Sequence, residues 1–358
     1  EFITSDLTDS TFWLRFELEN LDDNLARWSI ATGSVRLDYL RLYQLTNGKL
    51  ERVYHSNTYS RGDEREISSP KIYIPITVAA KSRSTFFLEH QSQGTVNLNL
   101  AVLDPKSLQK RINFEFIVDF ALMGFFFALA AINLFHFAAL CNPAHFYYSL
   151  LMLVSVVNTF HMRNYTFIYL FPDSLEIVRL LTPWVGSAAV FLGVVFTRHF
   201  FTLKTLSRPL YVASNISVAL LLLPCIAVFF TPFNTVLGLM ALTSPQAIVL
   251  MVVVGFYALY RRQPSAGYFV FAWMVYAAGL VYYGFSIRGF SIGGLSGIDA
   301  ALIASAIEGL VLSMALAHQV RRIHKRDQES QTRLIKSLEQ KNAIQHELVQ
   351  SERTKLSA

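Results

Sequence analysis

The chain has 358 residues, of which 53% are hydrophobic and 16% charged, whereas a soluble domain usually has about a quarter of its residues charged. The formal charge is +6, but many of the basic residues sit beside apolar segments, so membrane topology explains them and nucleic-acid binding is not expected. Cys141 and Cys225 fall in or at the edge of apolar runs, which excludes a disulfide framework and says nothing of redox compartment.

Composition divides the chain into three compartments, expected at 1–111, 112–320 and 321–358. The first does not open on Met and carries no signal-peptide pattern, as expected of a chain whose leader has been removed. Between Thr11 and Leu103 the apolar period is two. Ile72, Ile74, Ile76 and Val78 alternate with Tyr73, Pro75 and Thr77, and Val96, Leu98, Leu100 and Val102 alternate with Asn97, Asn99 and Ala101, the pattern of half-buried strands. Asn47-Gly48 between YQLT and KLERV reads as a hairpin turn, since both residues accept positive φ. The expectation is a β-sandwich of short antiparallel strands. Trp13, Phe16, Trp28, Tyr39 and Tyr43 suit either a core or a stacking surface for a sugar ring, and the sequence favours core for most of them.

A helix needs about 20 apolar residues to cross the hydrocarbon layer. Seven such runs follow, at 116–140, 144–161, 177–200, 210–230, 236–260, 267–287 and 298–320. They are separated by Asn142-Pro143, Phe171-Pro172-Asp173, Ser207-Arg208-Pro209, Thr231-Pro232, Gln263-Pro264 and Gly293-Gly294, all turn or breaker signals. Pro183, Pro224 and Pro245 fall inside runs, where neighbouring helices compensate the lost backbone bond. Arg198, Lys204, Arg208, Arg261, Arg262, Arg321, Arg322, Lys325 and Arg326 cluster after the third, fifth and seventh runs, against Arg163, Arg179 and Arg288 on the other side. Basic loops stay cytoplasmic, so the N-terminus is expected outside and the C-terminus in the cytoplasm.

Glu308 stands about ten residues into the last run, where a charge costs several kcal/mol unless paired or protonated. It is a candidate signalling residue, or else a neutral or hydrogen-bonded lock on the bundle. Asn133, Asn158, His136, His161 and Ser313 are its candidate partners, of which Asn133 and Ser313 join it as candidate signalling residues. Asp119 and Asp299 are expected near the outer interface. Gly309, Ser313 and Ala317 recur every four residues, a spacing that permits close helix approach. The histidines lack metal-ligand spacing, and no phosphate loop or nucleophile–base set is present; no metal, cofactor or catalytic residue is expected within the chain.

From Gln319 onward the sequence is rich in Arg, Lys, Glu and Gln without breakers, so the last span should continue as a cytoplasmic helix. Ile335, Leu338, Asn342, Gln345, Val349, Glu352 and Leu356 have 4-3 spacing, a weak coiled-coil seam or else one face of a single solvated helix. His346 reads as a solvated histidine on that helix.

Several stretches resemble the bacterial seven-transmembrane receptors with diverse intracellular signalling modules. They are NLFHFAALCNPAHFYYSLLMLVS at 133–155, FTRHFFTLKTLSRPL at 196–210, GYFVFAW at 267–273 and IEGLVLSMALAHQV at 307–320. TFWLRFELEN at 11–20, VRLDYLRLYQ at 35–44 and RGDER at 61–65 resemble that family's second type of extracellular domain, a jelly-roll taken to bind carbohydrate-like ligands. The family domain usually has further strands before the Trp-Leu-Arg-Phe strand than ten residues allow, so a short or incomplete front edge is expected.

The resemblance implies a multidomain protein of the bacterial cytoplasmic membrane: a periplasmic jelly-roll-like sandwich, a seven-helix bundle and a cytoplasmic helix or coiled coil. It implies a sensory receptor with Trp13, Trp28, Tyr39, Tyr43 and Arg65 as candidate ligand contacts. Its expected partners are a small-molecule or carbohydrate ligand, the lipid bilayer, a second copy through the C-terminal helix, and a cytoplasmic effector such as a histidine kinase or a cyclase in the full-length protein. The alternatives are a proton-coupled transporter or channel using Glu308, and a passive membrane anchor.

Overall fold

The computed structural model describes residues 2–5, 11–32, 39–46, 48–56, 67, 69–91, 96–172, 174–287 and 295–356. Asn47, Arg65, Asp173, Arg288 and Gly293-Gly294 lie outside them.

Among the described residues nine strands precede the first helix: β1 (Phe2–Ser5), β2 (Phe12–Glu19), β3 (Ala26–Ala31), β4 (Tyr39–Thr46), β5 (Lys49–Ser56), β6 (Tyr73–Val78), β7 (Arg83–Gln91), β8 (Val96–Asn99) and β9 (Ala101–Leu103). One sheet has the order β2-β7-β4-β5 and another β6-β3-β9, while β1 pairs with β8. Because β8 and β9 are nearly continuous, the chain passes there from one pairing to the other. β4 and β5 pair antiparallel from Thr46↔Lys49 outward, and Gly48 supplies the positive φ of 77° that a tight reversal needs.

Period two becomes burial. Along β2 the residues Phe12, Leu14, Phe16 and Leu18 turn inward and Trp13, Arg15, Glu17 and Glu19 outward, as the pleat dictates. Ile30, Leu40, Leu42, Ile72, Ile74, Ile76, Val78, Phe86 and Leu88 form the core between the sheets. Trp28, opposite Ile76, packs against this core. Tyr73 breaks the alternation: it is buried as well as Ile74, because its ring meets Leu108 and Ile112 of the first helix. Asn20 closes the β2–β3 corner, its Nδ2 donating to the carbonyls of Asn24, Val78 and Ala79 at 2.8–3.2 Å.

Eight α-helices follow among the described residues: α1 (Pro105–Leu140), α2 (Pro143–Met162), α3 (Leu175–Phe200), the short α4 (Leu203–Leu206), α5 (Arg208–Ala227), α6 (Phe233–Tyr260), α7 (Ala266–Ile287) and α8 (Gly297–Leu356). A π-helical turn, Thr166–Leu170, follows α2. Asp104 caps α1 by accepting from the backbone N–H groups of Lys106 and Ser107, with Pro105 at the first position, a strong start signal. The helix therefore begins before the boundary expected at 111, and its first turns rest on the sandwich. Asn142 caps α2 in the same manner, accepting from the Ala144 N–H at 3.0 Å.

A helix occupies each of the seven expected runs. Six of them are long and apolar enough to cross a membrane by length and composition. The other, α2, is diluted by His145, Ser149, Ser155, Thr159 and His161, all buried. Three of these polar groups bond one turn back: Ser149 to the His145 carbonyl, Ser155 to Leu151 and Thr159 to Ser155, at 2.8–2.9 Å. Such bonds let a polar side chain enter an apolar medium. Ile117, Phe127, Phe135, Val249, Phe271 and Val281 are exposed on the bundle, as a lipid-facing surface requires.

Helix α8 is a single element of 60 residues. It passes through Val320 without interruption, and beyond Gly309 it contains neither Gly nor Pro.

Candidate functional site

Two regions carry unusual chemistry: the outward face of the four-stranded sheet, and the line of polar contacts along α8.

On the sheet, Trp13 lies opposite Glu89, and Arg41 lies opposite Glu89 on the other side. The three therefore share the face turned away from the core, together with Tyr43. Trp13 is 54% exposed and stacks on Tyr43 with ring centroids 5.5 Å apart. The Tyr43 hydroxyl donates to Glu89 Oε2 at 2.9 Å, and Arg41 pairs with the same oxygen at 3.4 Å. Burial, and then the hydrogen bond to the Glu89 carboxylate, push the Tyr43 phenol above its usual range, so it remains a donor. The result is an aromatic platform with a carboxylate and a guanidinium fixed at its edge. Of the expected ligand residues, the structure brings together Trp13 and Tyr43. Trp28 belongs to the other sheet and faces the core, so it does not join them. Tyr39 lies at the start of β4, and Arg65 is outside the described residues. Arg41 and Glu89 were missed by sequence reasoning; their signal was their place in strands of alternating pattern, on the parity of Tyr43 and of Phe87.

Helix α8 is held at three levels. At the end nearest the sandwich, Asp299 in its first turn pairs with Arg163 at 2.5 Å and accepts from Ser296. Arg163 also pairs with Asp119 of α1 at 2.8 Å, and Asp119 accepts from the Tyr165 hydroxyl at 2.9 Å. Asp119 and Arg163 are both buried, the paired carboxylate being covered by the ring of Tyr165 and the guanidinium.

At mid-depth, Asn133 of α1 donates to Ser313 Oγ at 3.1 Å, and its Oδ1 lies 3.0 Å from His145 Nδ1 of α2. The Tyr148 hydroxyl donates to the Gly309 carbonyl. Glu308 is buried at 4% exposure, its Oε1 has no hydrogen-bond partner among the described residues, and Tyr148 and Tyr276 are among its neighbours. Asn133 and Ser313 thus bond each other rather than Glu308. His161 bridges Thr166 at 3.3 Å and Thr182 at 2.9 Å, elsewhere in the bundle. Of the small-residue stripe, Gly309 packs against Met152 while Ala317 is exposed. At the third level, His318 Nδ1 lies 2.9 Å from Ser265 Oγ, and Gln319 donates to the Phe200 carbonyl at 3.5 Å.

Removing Asn133 leaves both Ser313 and His145 short of a partner. Asn133→Leu is expected to cost about 1 kcal/mol, the usual scale of a hydrogen bond between membrane helices. Thermal unfolding in detergent should show a lower midpoint for this variant and none for Asn158→Leu, whose Oδ1 is unpartnered.

Among the described residues no group of three His, Cys, Asp or Glu is placed to hold a metal ion. Beyond Val320 the helix residues whose burial is described, all of them before residue 343, are exposed, and Ile335 and Leu338 are half exposed.

Residues 115–319 match the family model described as 7TM diverse intracellular signalling. Residues 2–104 match the one described as 7TMR-DISM extracellular 2. A search of curated proteins found no match.

Proposed function

The chain belongs to the 7TM diverse intracellular signalling family, receptors that join an extracellular domain to intracellular signalling, and from that premise we propose that it senses a carbohydrate-like ligand on the outward face of β2-β7-β4. The observation that carries this reading is the Trp13–Tyr43 stack with Arg41 and Glu89 beside it. The apolar C–H face of a sugar ring packs on an aromatic plane, while fixed charged groups at its rim bond the hydroxyls. A half-exposed tryptophan among charged neighbours contributes little to the fold and is well placed for a ligand.

The sandwich faces the outside of the bacterial cytoplasmic membrane in this reading, since Lys and Arg gather at the other end of the bundle. Ligand binding shifts α8, whose polar contacts at three depths offer discrete alternative arrangements. The exposed Ile335 and Leu338 then pair with a second copy, and the paired helices drive a cytoplasmic effector, a kinase or a cyclic-nucleotide enzyme.

The test is direct binding of neutral mono- and oligosaccharides to the full chain in lipid nanodiscs. Trp13→Ala is expected to weaken binding at least tenfold, or about 1.4 kcal/mol. Trp28→Phe should leave it unchanged. Sugar binding insensitive to Trp13, or none across the panel, would overturn the assignment of this face.

A further inference from the structure

The sandwich and α8 are joined by a continuous set of charges that the receptor reading does not itself require. Lys71, in the segment leading into β6, places its Nζ 2.8 Å from Glu115 Oε1 of α1. The Tyr73 hydroxyl donates to the other oxygen of Glu115 at 3.1 Å. One helical turn further along α1 stands Asp119, held by Arg163, and Arg163 reaches on to Asp299 of α8. A narrow crevice lined by Lys71, Glu115, Phe116, Asp119, Arg163 and Tyr165 connects the two groups.

The charges balance only as a set. Asp119, Arg163 and Asp299 carry a net −1, and Lys71, Arg111 and Glu115 carry +1, with Arg111 pairing Glu115 at 3.3 Å. Lys71 is near enough to stabilise the charge on both Asp119 and Asp299. Arg163 is 7% exposed and Asp119 5%, so the desolvated guanidinium and that carboxylate need each other, while Asp299, with its side chain 34% exposed, gives the guanidinium its second partner. A planar fork with donors on several edges can serve two carboxylates from different helices, which a lysine ammonium cannot do in the same manner.

We propose that Arg163 is the positioning residue through which the sandwich holds the first turns of α8: withdrawal of Lys71 from Glu115 unbalances the buried Asp119–Arg163 pair and loosens its partly exposed third member, Asp299 of α8. This deepens the receptor reading and rests on it for its purpose, though the coupling itself is a property of the fold.

The experiment is amide hydrogen exchange, followed by mass spectrometry, on the full chain in nanodiscs without ligand. Among the described hydrogen bonds and ion pairs Lys71 has none with α8 and pairs with Glu115, yet Lys71→Gln is expected to speed exchange across residues 297–304 by about tenfold. Arg163→Gln should speed exchange at 297–304 and at 69–73 together, and Arg163→Lys should not restore the wild-type rates. Should Arg163→Gln fail to fold, Asp299→Asn takes its place, with faster exchange at 297–304 expected. If Lys71→Gln changes only its own segment, the coupling does not exist. If it loosens α8 while no saccharide binds the Trp13 face, the coupling stands and the assigned ligand falls.

Discussion

Gly279→Val is expected to destabilise the bundle by about 1–3 kcal/mol, the usual cost of forcing extra volume into a packed interface, and to push α7 away from α8. A Cβ at position 279 would overlap that of Ala304, and would also lie 3.3 Å from the Ala300 carbonyl oxygen and 3.6 Å from the Ala301 Cα. The last two atoms belong to backbone that cannot turn aside. Close approach of two helices over small residues is the main means of tight packing where the solvent is itself apolar. Gly284 on the same helix has nothing within 4 Å of a built Cβ, so Gly284→Ala should be neutral or slightly stabilising, as a helical glycine gains about 0.5–1 kcal/mol on becoming alanine. Thermal midpoints in detergent check both. Disulfide trapping between cysteines placed on α7 and α8 checks the displacement: Gly279→Val should trap more slowly, and equal trapping would show that α8 accommodates the branch without moving.

The sandwich should lose stability between about pH 6.5 and pH 4. His90 faces the core between Leu40 and Phe12, is 1% exposed, stacks on Phe12, and leaves Nδ1 unpartnered. Burial lowers its pKa from 6.5 to about 4. In the unfolded chain the imidazole takes up a proton below about pH 6.5, while in the fold it stays neutral until about pH 4. The unfolded state therefore binds more protons in this window, so stability falls as pH falls. Above pH 6.5 the contribution is flat, and below pH 4 both states are protonated and the loss is complete. At about 1.4 kcal/mol for each pKa unit, the loss amounts to roughly 3 kcal/mol. Thermal scans at pH 7.5 and pH 4.5, followed by tryptophan fluorescence, should separate more for the wild type than for His90→Leu. An equal separation would place the acid sensitivity elsewhere.

How much of this was legible in the sequence depends on the distance over which each signal acts. Period two along Phe12–Glu19 gave the strand and its inward face, because the pleat is a local property. Trp13 and Trp28 were both read as candidate ligand contacts, although the same alternation separates them: Trp13 shares parity with Arg15 and Glu17, and Trp28 with Ile30. The apolar runs and their Pro and Asn punctuation gave the helices, including α2 with its diluted hydropathy. Three things were not legible. Tyr73 is buried because α1 begins at Pro105 and folds back on the sandwich, which no strand pattern records. Asn133 was one of five candidate partners of Glu308 among which the sequence could not choose; its bonds go to Ser313 and His145, since helix rotation rather than composition decides which polar groups meet. Arg163, Asp119 and Asp299 meet from chain positions 44 and 136 residues apart, and each alone looks like an ordinary charge near a span end.

The unbroken run of α8 from Gly297 to Leu356 has a mechanical corollary. Each residue turns the backbone by about 100° and advances it about 1.5 Å, and no flexible joint intervenes after Gly309. A twist of a few degrees imposed beside Asp299 therefore arrives undiminished some tens of ångströms away, where Ile335 and Leu338 point. Splicing one extra residue into the solvated part would swing everything downstream through nearly a right angle, whereas seven would bring it back almost into phase.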